Sequence, residues 1–377
     1  MKIAMVVPTL GFRGGIERHA FDFARSLRTR GHEIVLVHGA EQGRDIDAYA
    51  AGFDAVEPLA APTSARRADL MYVHKAKSVD DVAALGSLPA IFVAHDHDLT
   101  CPRSHRYVPL GHKPCHEAAG LRCVGNGCVV VRDRRPGAFP LTLVDPFALR
   151  IRLRAMARRG SMVACSQYVA DSLVAGGVPR ERISVLHPIA PEDPTPTVAA
   201  PTERRLAVVG QLLRGKGVDL AIRALAHLPP DVKLSIAGDG PSRAELAALA
   251  AEVAPGRVEL FGYVPPDDTR AVYDRARVVV VPSRWPEPFG MVGVEAMRRG
   301  RVVVGAAHGG IPEWLAGEGR GSRAFEPGNV LDLARAIRLA LADDGAAALE
   351  HAQQTFSHDR AVGKLEALLG EAVRAAA

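Results

Sequence analysis

The chain has 377 residues, 48% of them hydrophobic and 24% charged, which excludes a disordered tail protein or a collagen-like fibre and suits two domains better than one. The net charge is only +5, no run approaches the roughly 18 uninterrupted apolar residues of a membrane-spanning helix, and residues 1–8 read as a buried first strand, not a secretory signal. Five cysteines, an odd and low number, argue against a disulfide scaffold and for a reducing cytosol.

Along the chain, strand-length apolar runs alternate with amphipathic stretches. A strand over residues 2–7 leads through Gly11-Phe12-Arg13-Gly14-Gly15-Ile16-Glu17 into a helix over 15–30, then a strand over 33–37. Paired glycines before a helix let backbone N–H groups approach an anion, but Gly-x-Gly-x-x-Gly, the dinucleotide fingerprint, is absent here. Further strands are predicted over 70–73 and 91–94, and the latter runs into His95-Asp96-His97-Asp98. An Asp-x-Asp pair is a candidate metal ligand set; the plainer reading is coincidence, with Asp96 helping to orient His95.

Next come Cys101, Cys115, Cys123 and Cys128, interspersed with His97, His105, His112 and His116. Four thiols within 28 residues could hold a structural zinc, although no tight Cys-x2-Cys knuckle is present; a disulfide pair and free thiols stay open beside it. The segment 101–159 carries twelve Lys or Arg against three acidic residues, +9, so the rest of the chain sums to −4. Such a field suits phosphates or anionic lipid; no aromatic stripe or finger spacing supports nucleic acid. Within it Arg150, Arg152, Arg154, Arg158 and Arg159 share a helical stretch with Phe147, Leu149, Ile151 and Leu153, the makings of an interfacial helix.

Strands over 162–164, where Cys165 reads as core, and 183–186 complete the first half. Residues 188–204, proline-rich, form neither helix interior nor central strand and read as a linker. The rhythm then restarts with strands over 206–209, 234–237, 258–261, 278–281 and 302–304. The first of these ends in Gly210-Gln211-Leu212-Leu213-Arg214-Gly215-Lys216-Gly217, where Arg214 and Lys216 stand in a glycine-bounded loop fit for phosphate oxygens. The fourth ends in Pro286-Glu287-Pro288-Phe289-Gly290, with Glu295 two turns into the next helix. A carboxylate held at a strand end can bind sugar hydroxyls or stabilise positive charge at an anomeric carbon. The expected layout is α/β: a first Rossmann-like domain over 1–187, the linker, a second over 205–355, and a helix over 356–377 returning to the first domain, with a cleft between the two.

These motifs, with Gly238-Asp239-Gly240-Pro241, Phe261-Gly262-Tyr263-Val264 and Gly309-Gly310-Ile311-Pro312-Glu313, resemble the retaining glycosyltransferases of family four, of the GT-B fold, over nearly the whole chain. The resemblance implies a nucleotide diphosphate sugar donor, an acceptor hydroxyl on a glycan, lipid-linked or small molecule, and no cofactor needed for catalysis; the few cysteines and the basic segment add the expectation of a cytoplasmic protein that can sit on the inner face of the membrane. It implies that Lys216 holds the diphosphate, Glu295 the ribose hydroxyls, and Tyr263 and Val264 the border of the base. Glu287 and His95 would meet the donor sugar as catalytic residues, Phe289 and Gly290 would supply backbone donors, and Gly15 would approach the diphosphate. Glu17 and Asp96 fall on the acceptor side. Where the family has Arg, this chain has Gln211, which removes a charge and a bidentate fork; Arg214 is the nearest substitute. A sugar-nucleotide epimerase on the same scaffold and a non-catalytic nucleotide-sugar-binding protein are the alternatives.

Overall fold

The computed structural model describes residues 1–111, 113–132, 141–189, 199, 201–265, 268–315 and 321–376. The chain divides into two compact units, Met1–Ile189 together with His358–Ala377, and Ala190–Ser357. Most of the proline-rich seam (190–198 and 200) lies outside the described residues.

The first unit runs β1 (Lys2–Leu10), α1 (Gly15–Thr29), β2 (Glu33–Gln42), α2 (Ile46–Ala50), β3 (Ala55–Pro58), β4 (Leu70–His74) and β5 (Ala90–Ala94). An excursion follows: β6 (Tyr107–Val108) pairs with β7 (Lys113–Pro114), α3 (Leu121–Gly125) intervenes, and β8 (Val130–Arg132) pairs with β9 (Leu141–Leu143). The unit resumes with α4 (Pro146–Arg159), β10 (Ser161–Ala164), α5 (Gln167–Ala175) and β11 (Ile183–Val185). Its main sheet has seven parallel strands in the order β11-β10-β5-β4-β1-β2-β3.

The second unit runs β12 (Arg205–Val209), α6 (Val218–Ala224), β13 (Lys233–Ala237), α7 (Arg243–Val253), β14 (Val258–Gly262), α8 (Thr269–Arg275), β15 (Val278–Val281), α9 (Met291–Arg298), β16 (Val302–Ala306), β17 (Ser322–Phe325), α10 (Val330–Ala340) and α11 (Ala346–Thr355). Six parallel strands lie in the order β14-β13-β12-β15-β16-β17. Both sheets are wound outwards from a central strand, the order of Rossmann-like domains.

Sequence chemistry accounts for the pieces. β4, β5, β15 and β16 are buried along their whole lengths, as strands covered on both faces must be, and their sequences are nearly uniformly apolar. α1 turns Ala20, Phe23, Ala24 and Leu27 inward at helical spacing. α4 starts where the Asp145 carboxylate accepts the Phe147 N–H at 2.8 Å with Pro146 in the first turn, and α5 where Ser166 accepts from Val169 at 3.1 Å. The sequence reading missed the four short strands of the excursion, β6 to β9, and two strands of the main sheets, β3 and β17. Both are edge strands with mixed burial, so neither carries a continuous apolar run.

The last helix, α12 (His358–Arg374), belongs to the first unit. Val362, Leu365 and Leu369 are fully buried in the same core as Ile3, Phe23, Leu27 and Ile34. The helix is also tied by His32 to Glu366 at 2.8 Å and by Ser26 to His358 at 2.6 Å. Residues hundreds of positions apart therefore close one core. Leu365→Ala should destabilise the first unit by about 2–5 kcal/mol, the usual cost of emptying a leucine site in a packed core. A urea titration that left its unfolding midpoint unchanged would show that α12 does not complete this core.

Candidate active site

In the second sheet, β13 lies on one side of β12 and β15 on the other, so the chain leaves β12 and β15 towards opposite faces and opens a crevice beyond their carboxyl ends. The loops 210–217 and 282–290 line that crevice. They are stitched together by backbone: the N–H groups of Arg284 and Trp285 both donate to the Gly215 carbonyl, at 2.8 and 3.2 Å. Gly217 permits this approach, since its φ is +66° and a Cβ there would meet the Pro282 carbonyl oxygen at 2.0 Å. Arg284 adds a two-pronged ion pair to Asp219 at the start of α6.

The result places Lys216 Nζ 2.7 Å from Glu287 Oε1. Ser283 Oγ donates to the same oxygen at 2.5 Å and Trp285 Nε1 at 3.3 Å, while the ammonium sits 5.8 Å from the centre of the Trp285 ring. Burial alone would raise the Glu287 pKa; the Lys216 charge and the three hydrogen bonds outweigh it and hold the carboxyl below the usual range, ionised at neutral pH. All three donors converge on Oε1. Oε2 has no partner among the described residues. From the other side, the Gly310 N–H donates to the Glu287 carbonyl at 2.8 Å, and Gly309, at φ +65°, leaves no room for a Cβ beside the same residue.

The other residues expected on the donor side lie in the same unit. Phe289 is buried, its carbonyl accepting from Trp314 Nε1 at 2.7 Å, and Gly290 opens α9 in a left-handed conformation with no side-chain cap. Uncapped N–H groups at a helix start suit an anion. Glu295 accepts from the buried Tyr273 hydroxyl at 2.8 Å, which fixes one carboxylate oxygen. Gln211 and Arg214 are both exposed on the loop after β12, and Arg214 makes no ion pair among the described residues. Tyr263 is exposed and Val264 half-buried just beyond β14. Ser283 and Trp285, just ahead of Pro286, were not singled out from sequence; their side-chain donors close to Glu287 in the chain were the available signal.

The first sheet has its own switch point, between β1 and β4. Gly15 is exposed at the start of α1, and Glu17 is buried with its carboxylate accepting the Gly14 N–H at 3.0 Å. Glu17 thus caps the helix, which ties up one of its oxygens. His95 follows β5, and its Nε2 lies 2.7 Å from His74 Nδ1 at the end of β4. Asp96 does not make the orienting bond expected of it. Both Asp96 and Asp98 instead bind the Lys75 ammonium, Asp98 at 2.7 Å, and the Asp98 N–H donates to Asp96 at 3.0 Å. The two carboxylates share a lysine, which keeps Asp96 ionised, while burial and the Asp96 charge push Asp98 upward. Lys75 itself sits in the left-handed region at φ +61°, a conformation that costs a non-glycine residue about 1 kcal/mol or more.

His19 of α1 completes a group of three histidines whose ligand-capable atoms lie within 4.8 Å of one another. His19 and His74 were not selected from sequence. The signal was there: His74 and His95 each follow the apolar run of adjacent parallel strands, so their side chains meet at one sheet edge.

All five cysteines are free thiols. Burial, then the neighbouring Cys101, Cys123 and Cys115, push the Cys128 thiol up to about 11, so the four sulfurs of the excursion interact. Cys165 stands just past β10, not on it, and donates to the His95 carbonyl at 3.4 Å. His112, Asp133, Arg134 and Arg135 lie outside the described residues. On α4 the expected apolar set is split: Leu153 is buried and Leu149 half-buried, while Phe147 and Ile151 point outward. Arg159 is half-buried and spent on the carbonyls of Gly86 and Leu88 at 2.9 and 2.7 Å, and Arg150 is half-buried; Arg152, Arg154 and Arg158 are exposed.

Comparison with known proteins fits this geometry. Residues 13–190 match the family model "Glycosyltransferase Family 4", and residues 190–355 match "Glycosyl transferases group 1". The chain is 36% identical over 184 residues to a D-inositol 3-phosphate glycosyltransferase of Corynebacterium aurimucosum, covering 45% of this chain and 43% of that protein. It is 35% identical over 126 residues to the phosphatidylinositol N-acetylglucosaminyltransferase gpi3 subunit of Schizosaccharomyces pombe, covering 32% and 27%. The matched stretches thus span less than half the length of these curated relatives. Among solved structures, HepE of Anabaena in complex with UDP superposes with a TM-score of 0.71 at 20% identity, covering 98% of this chain and 100% of that one. WaaG, a glycosyltransferase involved in lipopolysaccharide biosynthesis, gives 0.63 at 18% identity, covering 97% and 98%. With two parallel sheets of this order and both halves matched, the chain belongs to glycosyltransferase family 4 and has the GT-B fold.

Proposed function

We propose that this protein is a retaining glycosyltransferase that moves a sugar from a nucleotide diphosphate sugar to an acceptor hydroxyl. The observation that carries the reading is the Lys216–Glu287 pair, held ionised at the switch point of the second sheet with Glu287 Oε2 left for a ligand. Lys216 and the uncapped start of α9 would neutralise the donor diphosphate, with Glu295 on the ribose and Tyr263 and Val264 beside the base. Gln211 cannot supply the charge the family places there, so Arg214, unpaired among the described residues, takes that part. In the first unit, His95 is the residue we assign a catalytic part. HepE, whose structure was solved with UDP and with UDP-glucose, suggests a uridine nucleotide as the first donor to try.

In the transfer, the bond from the anomeric carbon to the diphosphate oxygen breaks with its electron pair on the leaving group. The acceptor oxygen bonds to the same face of that carbon, and its proton passes to the leaving diphosphate. Positive charge builds on the sugar ring between these events, where a fixed carboxylate such as Glu287 is worth most.

The acceptor side is read from the excursion. Eight of the fifteen exposed large apolar side chains among the described residues fall between Leu110 and Ile151. Val130 lies directly opposite Leu143 in the β8–β9 pair, and Leu141 is on the same face as Leu143. Phe147, Ile151, Arg154 and Arg158 then form one outward stripe of α4, at spacings of four, three and four. Apolar side chains at the base of a stripe of arginines fit the boundary of an anionic bilayer, so we place a lipid-linked or membrane-adjacent acceptor here, with the protein bound peripherally. No helix among the described residues is long and apolar enough to cross a membrane. A structural zinc on Cys101, Cys115, Cys123 and Cys128 would brace this excursion and would have no part in the chemistry.

Glu287→Gln should lower turnover by about 10²–10³ with the fold intact, since one preorganised electrostatic contact is lost. Wild-type turnover by a folded variant would remove Glu287 from the site. Proton NMR of the product formed from UDP-glucose, or from whichever donor a thermal-shift screen selects, should show the donor's anomeric configuration retained, in EDTA as well as in buffer; inversion, or loss of activity on chelation, would overturn the mechanism. Flotation with phosphatidylglycerol vesicles should show binding at low salt that weakens at high salt and is lost in Phe147→Ser/Ile151→Ser. No binding at low salt would point to a soluble acceptor.

A further inference from the structure

We infer that His74 is a positioning residue that fixes the proton of His95 on Nδ1, so that His95 presents an N–H donor at the switch point of the first sheet. The inference rests on the proposed function only for what that N–H meets; the tautomer is a property of the ligand-free chain.

The rings of His74 and His95 are tilted by only 17°, with centroids 5.0 Å apart across a 2.7 Å Nδ1···Nε2 contact. That separation requires the two imidazoles to lie nearly end to end in one plane, which is the geometry of an N–H···N hydrogen bond. Both rings are neutral: burial, and then the neighbouring histidines, hold His74 well below the ordinary histidine range, and burial holds His95 at about 4. One proton therefore lies between them, on one nitrogen or the other.

The orphaned atom decides which. His74 Nε2 is buried and has no hydrogen-bond partner among the described residues. Were the His74 proton on Nε2, a buried N–H would be stranded without an acceptor, an arrangement native structures rarely keep; a bare ring nitrogen in the same place is the lesser loss. The proton of His74 therefore sits on Nδ1 and is donated to His95 Nε2. Neutral His95 must then carry its own proton on Nδ1. That nitrogen is absent from the buried unpaired atoms, and the ring is half-buried, so Nδ1 is its outward side. A donor there suits a hydroxyl or phosphate oxygen and cannot serve as a base.

The surroundings hold the pair in place. His19 stands edge-on to both rings, at 4.9 Å from His95 and 5.6 Å from His74, and Tyr72 edge-on to His74 at 4.8 Å. Lys75, whose charge is felt by His95, is committed to Asp96 and Asp98. A metal held by the three histidines is the competing use of the same atoms. Two nitrogens on one tetrahedral zinc stand about 3.3 Å apart, given Zn–N distances of about 2.0–2.1 Å, so the 2.7 Å contact favours the hydrogen bond.

The test is the nitrogen-15 spectrum of ring-labelled protein at pH 7.5, with His95 assigned through His95→Gln. In the wild type, His95 should show a protonated Nδ1 and a bare Nε2. His74→Asn, whose amide can still donate from the position of Nδ1, should keep that pattern. His74→Phe should lose it in favour of the Nε2–H form that histidine prefers in water, and His74→Asp, which can only accept, should reverse it outright. A wild-type spectrum showing Nε2–H on His95, or a pattern unchanged in His74→Asp, overturns the inference. So does a stoichiometric metal in the purified wild type that disappears in His74→Phe. Since no sugar donor is added, the result stands whether or not the chain transfers sugar.

Discussion

A parallel sheet wound outwards from its middle has one place where two neighbouring strands send their following chains to opposite faces, and each unit of this protein has one. In the second unit the strands are β12 and β15, and in the first β1 and β4. The backbone at such a point cannot fill the gap it opens, so side chains and backbone amides from the flanking loops are exposed to whatever enters. Lys216 comes from one flank and Glu287 from the other; His74 ends one flanking strand and His95 its neighbour. Each pair is distant in sequence and adjacent in space because the winding order makes it so.

That geometry imposes an electrostatic demand. Glu287 is almost wholly buried, and a buried carboxylate without a partner would take up a proton instead of keeping its charge. Lys216, Ser283 and Trp285 prevent this, and they do so on one oxygen only. The same solution recurs in the first unit, where Lys75 holds Asp96 and Asp98 together. An Asp-x-Asp that reads as a metal ligand set is there neutralised by a lysine from the adjacent strand end. The histidines follow the opposite rule. Enclosed by Tyr72, Phe23 and one another, they lose their protons, and their interactions are those of neutral rings.

The excursion between β5 and α4 obeys neither rule. Among the described residues it has short strands and a one-turn helix, and it leaves leucines and valines in water, a patch that Phe147 and Ile151 continue on α4 beside arginines. Exposed apolar side chains gathered in this way mark a surface that can take a partner.

The two-sheet architecture was legible in the sequence, since uniformly apolar strands of four or five residues between amphipathic helices have few other solutions; Lys216 and Glu287 drew attention by their places at strand ends, and His95 through the family resemblance. The sequence also placed the last helix in the first unit, where Val362, Leu365 and Leu369 are found. Edge strands β3 and β17 were not legible, because half-exposed strands lack a continuous apolar run. Partnerships were not legible either. That Asp96 serves Lys75 and that His74 orients His95 depends on which strands lie side by side, and α4 buries Leu153 while exposing Ile151 two residues earlier because the helix is rotated by what it packs on. Local chemistry fixes what an element is; only the packing of elements against one another fixes which neighbour each side chain meets.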